Sequence, residues 1–288
     1  MTFPRSSMQT LFKYLLFGVP LYIFIGAPLL KIVAPSFYGS SDLANYQSFE
    51  NTDALVFPDN NLVCAPHSYN VRVLSREPLV VYIDGFLSRN EAQHLVNAAE
   101  ENYKPSTIFT GEEESFDATI RNSSKAQLPR DNAVQCIEAR ARDFQGWRPD
   151  VYIEKLWAQR YVAGGHYTYH YDWSGEVGPR RGGRLSTFMV YLDDNCTGGG
   201  TNFPRLQRPP EQKWCDVLDC SSTTPADEQG ITFKPVKGNA VYWENFTPDG
   251  RGYEETWHAG LPVRSGVKVG LNIWSWYQPY LKIPTAKA

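Results

Sequence analysis

Short runs of alternating apolar and polar residues dominate the chain from residue 151 onward. They read VYIEKLWAQRYV (151–162), LSTFMVYL (185–192), ITFKPV (231–236), NAVYWENF (239–246), ETWHAG (255–260) and KVGLNIWSWYQ (268–278). Glycine-rich breaks at residues 164–165, 182–184 and 198–200, and a Pro-Asp-Gly turn at 248–250, separate some of these runs. A period of two between turn signals is typical of strands. The pattern therefore predicts an antiparallel sandwich or barrel of the jelly-roll type.

Residues before this region predict a strand and two helices. The apolar run 79–83 predicts a strand, and Ser88 can then cap a helix with apolar residues at helical spacing. A second helix is predicted from Asp131 to Phe144. The apolar face of the first helix carries Ala92, Leu95, Val96 and Ala99, and that of the second carries Val134, Ile137, Ala141 and Phe144. The expected fold is α+β and mainly β: a double-stranded β-helix (jelly roll, 151–280) with supporting helices (77–150).

The N-terminal segment has a different pattern. Residues 14–30 carry no charge, and they lie between the basic residues Arg5 and Lys13 on one side and Lys31 on the other. With residues 32–34 the segment approaches the ~20 residues that span a bilayer. We expect residues 1–34 to be a transmembrane signal-anchor helix that places the following chain in the lumen. A cleaved signal peptide and a buried soluble helix are the alternatives. Residues 35–76 are predicted to be a stem, and residues 77–280 the folded domain.

Composition adds two constraints. Aromatic residues make up 14% of the 288 residues, and 20 Pro and 22 Gly favour short strands and turns over helix bundles. The formal net charge of −3 gives no global basic field, so nucleic acid is not an expected partner.

Sequons and cysteines suggest the secretory pathway. Asn122, Asn195 and Asn245 each begin an Asn-X-Ser/Thr triplet and are glycosylation candidates. Five cysteines are present, and in an oxidising compartment Cys215 and Cys220 are the pair expected from proximity. We therefore expect a glycoprotein of the endoplasmic reticulum, single-pass in the membrane, with a lumenal domain.

The stretch YTYHYDWSGE (167–176) contains the clearest candidate chemistry. His170 and Asp172 are at i and i+2, so they point to one face of a strand. Two histidines and one carboxylate on such faces can hold Fe(II) with open coordination positions. Among the other histidines, His166 is about 13 Å along the strand, which is too far for a shared metal. His258 is then the remaining candidate, because His67 lies in the predicted stem and His94 in a predicted helix. A surface strand without metal remains the alternative at this point.

Four motifs then occur in a fixed order: RYVAGGHYTYHYDW, GGGTNFP, KGNAVYWENF and TWHAGLPVRSGVKVGLNIW. Together they resemble the prolyl 4-hydroxylase family of Fe(II)- and 2-oxoglutarate-dependent dioxygenases, over about residues 78–277. The resemblance implies that His170, Asp172 and His258 are the iron ligands. It also implies that Lys268, ten residues after His258, binds the far carboxylate of 2-oxoglutarate. A dicarboxylate in an apolar barrel needs such a fixed cation.

The resemblance implies further pocket residues. Tyr161, Tyr191 and Thr201 match positions that line the cosubstrate pocket, although ordinary strand aromatics and a turn threonine would also fit the pattern. The family often has a threonine four residues after the lysine, where this chain has Asn272. Arg184 and Trp243 are candidates for contact with substrate.

The implied function is hydroxylation of an unactivated carbon of a prolyl peptide. Fe(II) is the cofactor, 2-oxoglutarate and O2 are cosubstrates, ascorbate is a candidate reductant, and succinate and CO2 are released. Hydroxylation of a free amino acid or small metabolite is the alternative with the same chemistry. A non-catalytic binding protein on the same barrel is a third hypothesis. A cupin-like barrel is weaker, because it explains neither Lys268 nor the order of the motifs. The sequence does not define the oligomeric state.

Overall fold

Antiparallel strands and two helices make up most of the computed structural model, which describes residues 52–59, 61–109, 114–178, 181–221, 230–279 and 281. In chain order the strands are β1 (Leu55–Val56), β2 (Asn70–Arg76), β3 (Leu79–Asp84), β4 (Lys104–Pro105), β5 (Ile108–Phe109), β6 (Glu114–Ser115), β7 (Arg121–Asn122), β8 (Ser124–Gln127), β9 (Val151–Glu154), β10 (Trp157–Val162), β11 (His166–His170), β12 (Gly183–Asp193), β13 (Cys196–Gly198), β14 (Thr201–Phe203), β15 (Ile231–Phe233), β16 (Ala240–Glu244), β17 (His258–Gly260) and β18 (Val263–Tyr277). The helices are α1 (Arg89–Ala99) and α2 (Asn132–Phe144).

Two sheets carry the fold. The larger has eleven strands in the order β2-β3-β16-β12-β18-β10-β8-β4; β9 and β13 also pair with β18, and β1 pairs with β9. The smaller has the order β15-β14-β17-β11-β7. Side chains of both sheets meet in one apolar cluster, which includes Tyr82, Tyr191 and Trp243 of the larger sheet and Phe203 and Phe233 of the smaller. The predicted mainly-β architecture with antiparallel strands is confirmed.

Side chains alternate between the two faces of the larger sheet. One face packs against the helices, and the other, the inner face, points toward the smaller sheet. On β18, Val269, Leu271 and Ile273 belong to the apolar cluster that α1 and α2 also enter. The intervening residues Lys268 and Asn272 must then point to the inner face, toward the smaller sheet. This parity places Lys268 and Asn272 inside the barrel.

Both predicted helices are confirmed. Ser88 caps α1 in a capping box, in which its hydroxyl accepts a hydrogen bond from the Glu91 amide and the Glu91 carboxylate accepts one from the Ser88 amide. Asp131 caps α2 by accepting a hydrogen bond from the Val134 amide at 2.9 Å. The apolar faces of both helices pack on the larger sheet, as their spacing predicted.

The run 151–162, predicted as one strand, forms two. β9 pairs with β1 and β18, whereas β10 pairs with β8 and β18. Between them the Lys155 amide donates to Ala54 O, and Leu156 O accepts from the Leu128 amide. The backbone here changes partners, and apolar alternation does not reveal such a change.

Residues 70–76, which the sequence analysis assigned to the stem, form β2 and pair with β3 at one edge of the larger sheet. Exposed and partly exposed residues make up this strand, so it gave little periodic signal. β1, which also precedes residue 77, pairs with β9. The pairing joins both segments to the folded domain.

Two disulfides occur in the described residues. The predicted pair Cys215–Cys220 is confirmed. Cys64–Cys136 is a second disulfide, which links a residue of the predicted stem to α2 across 72 positions. Cys196 is a free thiol.

The predicted signal-anchor segment, residues 1–34, lies outside the described residues. Within the described ranges no helix combines the length and apolar character required to cross a membrane.

Candidate metal centre and cosubstrate cavity

Two adjacent strands of the smaller sheet bring the candidate metal ligands together. His170 on β11 and His258 on β17 are direct cross-strand partners, and their ring centroids are 4.3 Å apart. Asp172 follows β11 by two residues, with carboxylate oxygens 3.7 Å from His170 Nε2 and 3.9 Å from His258 Nε2. The three ligand atoms all lie within 4.8 Å of one another.

Backbone carbonyls fix the orientation of both imidazoles. His170 Nδ1 is 2.8 Å from Thr168 O, and His258 Nδ1 is 2.9 Å from Thr256 O. A carbonyl can only accept, so each Nδ1 carries the proton and each Nε2 keeps its lone pair. This tautomer is the one a metal ligand needs.

Asp172 is oriented from the larger sheet. Its Oδ2 accepts hydrogen bonds from Thr187 Oγ1 at 2.9 Å and Trp274 Nε1 at 3.1 Å. No hydrogen bond in the described residues uses Oδ1, and this oxygen remains available as a ligand. The aspartate therefore links the two sheets at the mouth of the barrel.

Charge states in the site suit a divalent cation. Burial, together with neighbouring His258, lowers the pKa of His170, so its imidazole is neutral at physiological pH. Burial alone would raise the pKa of Asp172, but the neighbouring imidazoles and the Trp274 hydrogen bond outweigh burial and lower it. Two imidazoles and one carboxylate with open positions are the donor set of non-haem Fe(II) oxygenases, so these residues fit Fe(II).

Lys268 lies inside the same barrel. It is opposite Tyr161 in the β10–β18 pairing and is only 2% exposed. Its ammonium lies 5.3 Å from the centre of the Tyr161 ring and 5.5 Å from that of Tyr191. In the described part of the chain no carboxylate lies within ion-pair distance of this ammonium. Burial lowers the pKa of Lys268 to about 8.

The other predicted cosubstrate residues surround Lys268. The Tyr161 hydroxyl donates to Gln159 Oε1 at 3.0 Å, and the Tyr191 hydroxyl donates to Thr201 Oγ1 at 2.9 Å. Tyr161 and Thr201 line an inner cavity of about 30 Å³ together with Lys268 and the metal ligands. Tyr191 is fully buried behind that wall. Asn272, where the family often has threonine, lines this cavity too.

A larger groove of about 430 Å³ adjoins the inner cavity and shares His170, Asp172 and Asn272 with it. Arg184 lines this groove, where its guanidinium pairs with Glu154 at 2.7 Å and lies 3.7 Å from the Trp274 ring centre. Burial alone would lower the pKa of Arg184, but the Glu154 carboxylate raises it, so the guanidinium stays charged.

Trp243, predicted as a substrate contact, is buried and lines the inner cavity beside the metal ligands. It is 1% exposed, and its Nε1 donates to Asn245 Oδ1 at 2.9 Å. Its ring packs edge-on against His258 with centroids 4.8 Å apart. Trp243 therefore supports a metal ligand and does not face the groove.

The three sequons differ in exposure. Asn122 and Asn195 are exposed. Asn245 is fully buried, and its amide nitrogen donates to Arg184 O and Thr187 Oγ1. A glycan has no room at Asn245 in this fold, so that glycosylation candidate is wrong.

The remaining histidines have structural contacts away from the ligand set. The His166 ring nitrogens face Gly164 O and Thr119 O. His94 pairs with Asp131 at 2.6 Å, which joins α1 to the cap of α2. In the described residues, the cluster of possible metal ligands contains His170, Asp172 and His258 and neither of these two rings.

Sequence reasoning missed several groove residues. Tyr167 stacks on His170 with centroids 3.7 Å apart, and Arg121 lies 4.6 Å from the centre of the Tyr167 ring. Trp274 could have been predicted from the sequence, because it lies an even number of residues from Lys268 on one strand and so points to the same face. Arg121 had none, because β7 is separated from the rest of the site along the chain.

Known proteins with similar sequence or structure agree with this geometry. The sequence model of the 2OG-Fe(II) oxygenase superfamily matches residues 156–276. Prolyl 4-hydroxylase 5 of Arabidopsis thaliana is 32% identical over 213 residues, covering 71% of this chain and 70% of the plant protein. Probable prolyl 4-hydroxylase 3 of the same plant is 31% identical over 207 residues, covering 70% of each. The crystal structure of the viral collagen prolyl hydroxylase from Paramecium Bursaria Chlorella virus-1, a 2-oxoglutarate complex, superposes with a TM-score of 0.51 at 28% identity, covering 69% of this chain and 96% of the viral one.

Proposed function

The chain belongs to the prolyl 4-hydroxylase family of 2-oxoglutarate- and Fe(II)-dependent oxygenases, and on that premise we propose that it hydroxylates prolyl residues of a peptide substrate. The reaction consumes 2-oxoglutarate and O2 and releases succinate and CO2. One oxygen atom enters the substrate and the other enters succinate.

His170, Asp172 and His258 would hold Fe(II), which when bound supplies the site for 2-oxoglutarate and dioxygen activation. The chain's own contribution is orientation. Thr168 O and Thr256 O fix the two imidazoles through Nδ1, so that each Nε2 would be the ligand atom. A donor set of two imidazoles and one carboxylate would leave coordination positions open for the cosubstrates.

Lys268 carries the cosubstrate part of the proposal. A buried ammonium without a carboxylate partner is unfavourable unless a ligand supplies the anion. The far carboxylate of 2-oxoglutarate would pair with Lys268, and the Tyr161 hydroxyl would donate to the same carboxylate in place of Gln159 Oε1. The other end of 2-oxoglutarate would reach toward the metal through the space that the inner cavity shares with the groove.

The open groove favours a peptide over a small metabolite. It has about 430 Å³ and passes directly beside the metal ligands, where an extended segment can present one residue. Arg184 is held there by Glu154 and stacks on Trp274, and this fixed guanidinium is a candidate donor to a substrate carbonyl.

A turnover assay tests this function. Protein loaded with Fe(II) and 2-oxoglutarate is offered a proline-rich peptide, the same peptide with every proline replaced by alanine, and free proline. We expect succinate release coupled to hydroxylation for the proline-rich peptide alone. Coupled turnover of free proline with none of the peptide would favour the small-molecule alternative.

We also propose that residues 1–34 anchor the chain in the endoplasmic reticulum membrane with the enzyme domain in the lumen. Two disulfides and the exposed sequons Asn122 and Asn195 support an oxidising, lumenal compartment. Protease treatment of intact microsomes should leave the domain protected, and endoglycosidase should shift its mobility. Cleavage of the domain without detergent would contradict this location.

A further inference from the structure

One buried carboxamide borders both the inner cavity and the groove. Gln159 is only 3% exposed, yet it lines each of these spaces. Its one hydrogen bond in the described residues is with the Tyr161 hydroxyl. A polar side chain that is buried this deeply beside a ligand cavity is a candidate contact for the polar part of that ligand.

Strand pairing fixes the depth of Gln159 in the barrel. Gln159 is opposite Gly270 in the β10–β18 pairing. Tyr161, the next residue of β10 on the same face, is opposite Lys268. Further along this face of β18, Trp274 donates a hydrogen bond to the carboxylate of the metal site. Gln159 therefore lies between Lys268 and the metal site, next to the end of the cavity proposed for the far carboxylate of 2-oxoglutarate.

The two ends of this carboxamide differ in their contacts. Gln159 Oε1 accepts a hydrogen bond from the Tyr161 hydroxyl at 3.0 Å, whereas Gln159 Nε2 donates to no partner within the described ranges. Among the described residues, the enclosed side-chain oxygen or nitrogen without a partner is the Tyr103 hydroxyl. Gln159 Nε2 is therefore not sealed inside the protein, and this donor is accessible to a ligand in the cavity.

A bound carboxylate can use a further donor. Its two oxygens offer about four lone-pair sites, of which Lys268 and the Tyr161 hydroxyl fill two. When the Tyr161 hydroxyl turns to the carboxylate, Gln159 Oε1 loses its donor. The oxygen and nitrogen of a carboxamide are similar in size, so a turn of the group brings Nε2 to the same place. A hydrogen bond from Nε2 to a charged oxygen is stronger than the neutral one that it replaces.

We propose that Gln159 is a third donor to the far carboxylate of 2-oxoglutarate, beside Lys268 and Tyr161, and that it helps to select 2-oxo acids with a second carboxylate. This inference rests on the proposed function and specifies its cosubstrate contacts. In the free protein the carboxamide accepts a hydrogen bond from Tyr161. In the complex, Nε2 and the Tyr161 hydroxyl both donate to the ligand. Gln159 is therefore a specificity-determining residue.

Calorimetric titration of the full chain loaded with Co(II) tests this contact. The two ligands are 2-oxoglutarate and 2-oxovalerate, a 2-oxo acid of the same length that lacks the far carboxylate. Gln159→Met should weaken binding of 2-oxoglutarate about tenfold, because a hydrogen bond to a charged group is lost. Binding of 2-oxovalerate should stay within about twofold. Gln127→Met, the same substitution at an exposed residue of the neighbouring strand β8, is the matched control and should change neither affinity.

Gln159→Glu provides a second variant of nearly the same shape, which keeps the inference testable if Gln159→Met fails to fold. A carboxylate at this position can only accept hydrogen bonds, and it repels the far carboxylate of the ligand. Binding of 2-oxoglutarate should therefore fall at least about 100-fold. Binding of 2-oxovalerate should fall far less, because this ligand has no charge at that end.

Unchanged binding of 2-oxoglutarate by the folded variants would overturn the contact. An equal loss of both ligands would also overturn it, since that result indicates a structural role in the barrel. The titration contains no peptide, so its outcome is separate from that of the turnover assay. A selective loss of 2-oxoglutarate in a chain that hydroxylates no prolyl peptide would support the contact and reject the proposed substrate. A wild type that binds no 2-oxoglutarate would reject the contact together with the role of Lys268.

Discussion

His170 and His258 are paired directly across β11 and β17, with imidazole centroids 4.3 Å apart. The metal site is therefore set by strand register and not by a flexible loop. A slip of one residue in this pairing would turn one imidazole to the opposite face of the sheet. Asp172 completes the site from just beyond the end of β11, where Thr187 and Trp274 hold it.

Removing a ligand should abolish metal binding without unfolding the chain. His258→Ala, His170→Ala or Asp172→Ala is expected to reduce stoichiometric binding of Fe(II), or of Co(II) as a stable probe, to background and to stop succinate formation. His166→Ala is the control, since this histidine lies on β11 but bonds to Gly164 O and Thr119 O. Equilibrium dialysis and circular dichroism measure the two properties. Full metal occupancy in the ligand variants would refute the assignment.

Lys268→Met should weaken the binding of 2-oxoglutarate. Truncating one partner of a buried charge pair costs about 2–5 kcal/mol, so affinity for 2-oxoglutarate should fall at least about 30-fold. Metal affinity should not change. Lys237→Met, at a lysine that contacts Gln93 outside the cavity, is the matched control. Calorimetric titration with 2-oxoglutarate gives the affinities, and unchanged binding would remove Lys268 from its role.

The ligand-free Lys268→Met protein should also be more stable than wild type. Burial lowers the pKa of Lys268 from 10.5 to about 8, so between these values the unfolded chain binds more protons than the folded one. The free energy of unfolding of the wild type should then rise with pH across this window. Below pH 8, burial of the Lys268 ammonium lowers this free energy by its full cost, on the order of 3 kcal/mol. Denaturant titrations at pH 7 and pH 10 measure it. A stability that is independent of this lysine and of pH would contradict the assignment.

Affinity for 2-oxoglutarate should fall at alkaline pH. The free protein loses the Lys268 ammonium as pH rises through about 8, and above that value the dissociation constant should increase about tenfold per pH unit. Lys268→Arg keeps its charge throughout this range, so whatever affinity it retains should not change with pH. A wild-type affinity that stays constant to pH 10 would show that this ammonium does not bind the cosubstrate.

The two disulfides should contribute unequally to stability. Cys64–Cys136 closes a loop with a sequence separation of 72, whereas Cys215–Cys220 has a separation of 5. The chain-entropy model gives about 4 kcal/mol for the long loop and about 2 kcal/mol for the short one. Paired serine substitutions at each disulfide, compared by denaturant unfolding, measure the difference. A larger loss from removing Cys215–Cys220 would contradict this order.

Patterns in the sequence captured much of the fold for physical reasons. The capping residues Ser88 and Asp131 and the apolar faces they precede fix α1 and α2 locally. Lys268 was predicted from the family resemblance, and parity along β18 explains in the structure why it lies on the inner face. The helix signals depend only on neighbouring residues, and distant parts of the chain do not change them.

Other features depend on contacts between distant segments and left no local pattern. β2 is an edge strand with a largely exposed surface, and its partner β3 defines it. Trp243 lies against His258 at the inner cavity and not in the groove, and the pairing of β16 with distant strands sets this position. Asn245 carries a sequon that the fold buries. In each of these cases the three-dimensional partner, and not the neighbouring sequence, decides the environment.

Isotope-labelled dioxygen tests the central claim most directly. The full chain is supplied with Fe(II), 2-oxoglutarate, labelled dioxygen and a proline-rich peptide, and both products are analysed by mass spectrometry. We predict one labelled oxygen in the peptide, at proline, and one in succinate, in equal amounts, with neither product formed by the Asp172→Ala variant. Peptide left unmodified by a fully loaded wild-type protein, or product that forms equally well without residue 172, would contradict the account.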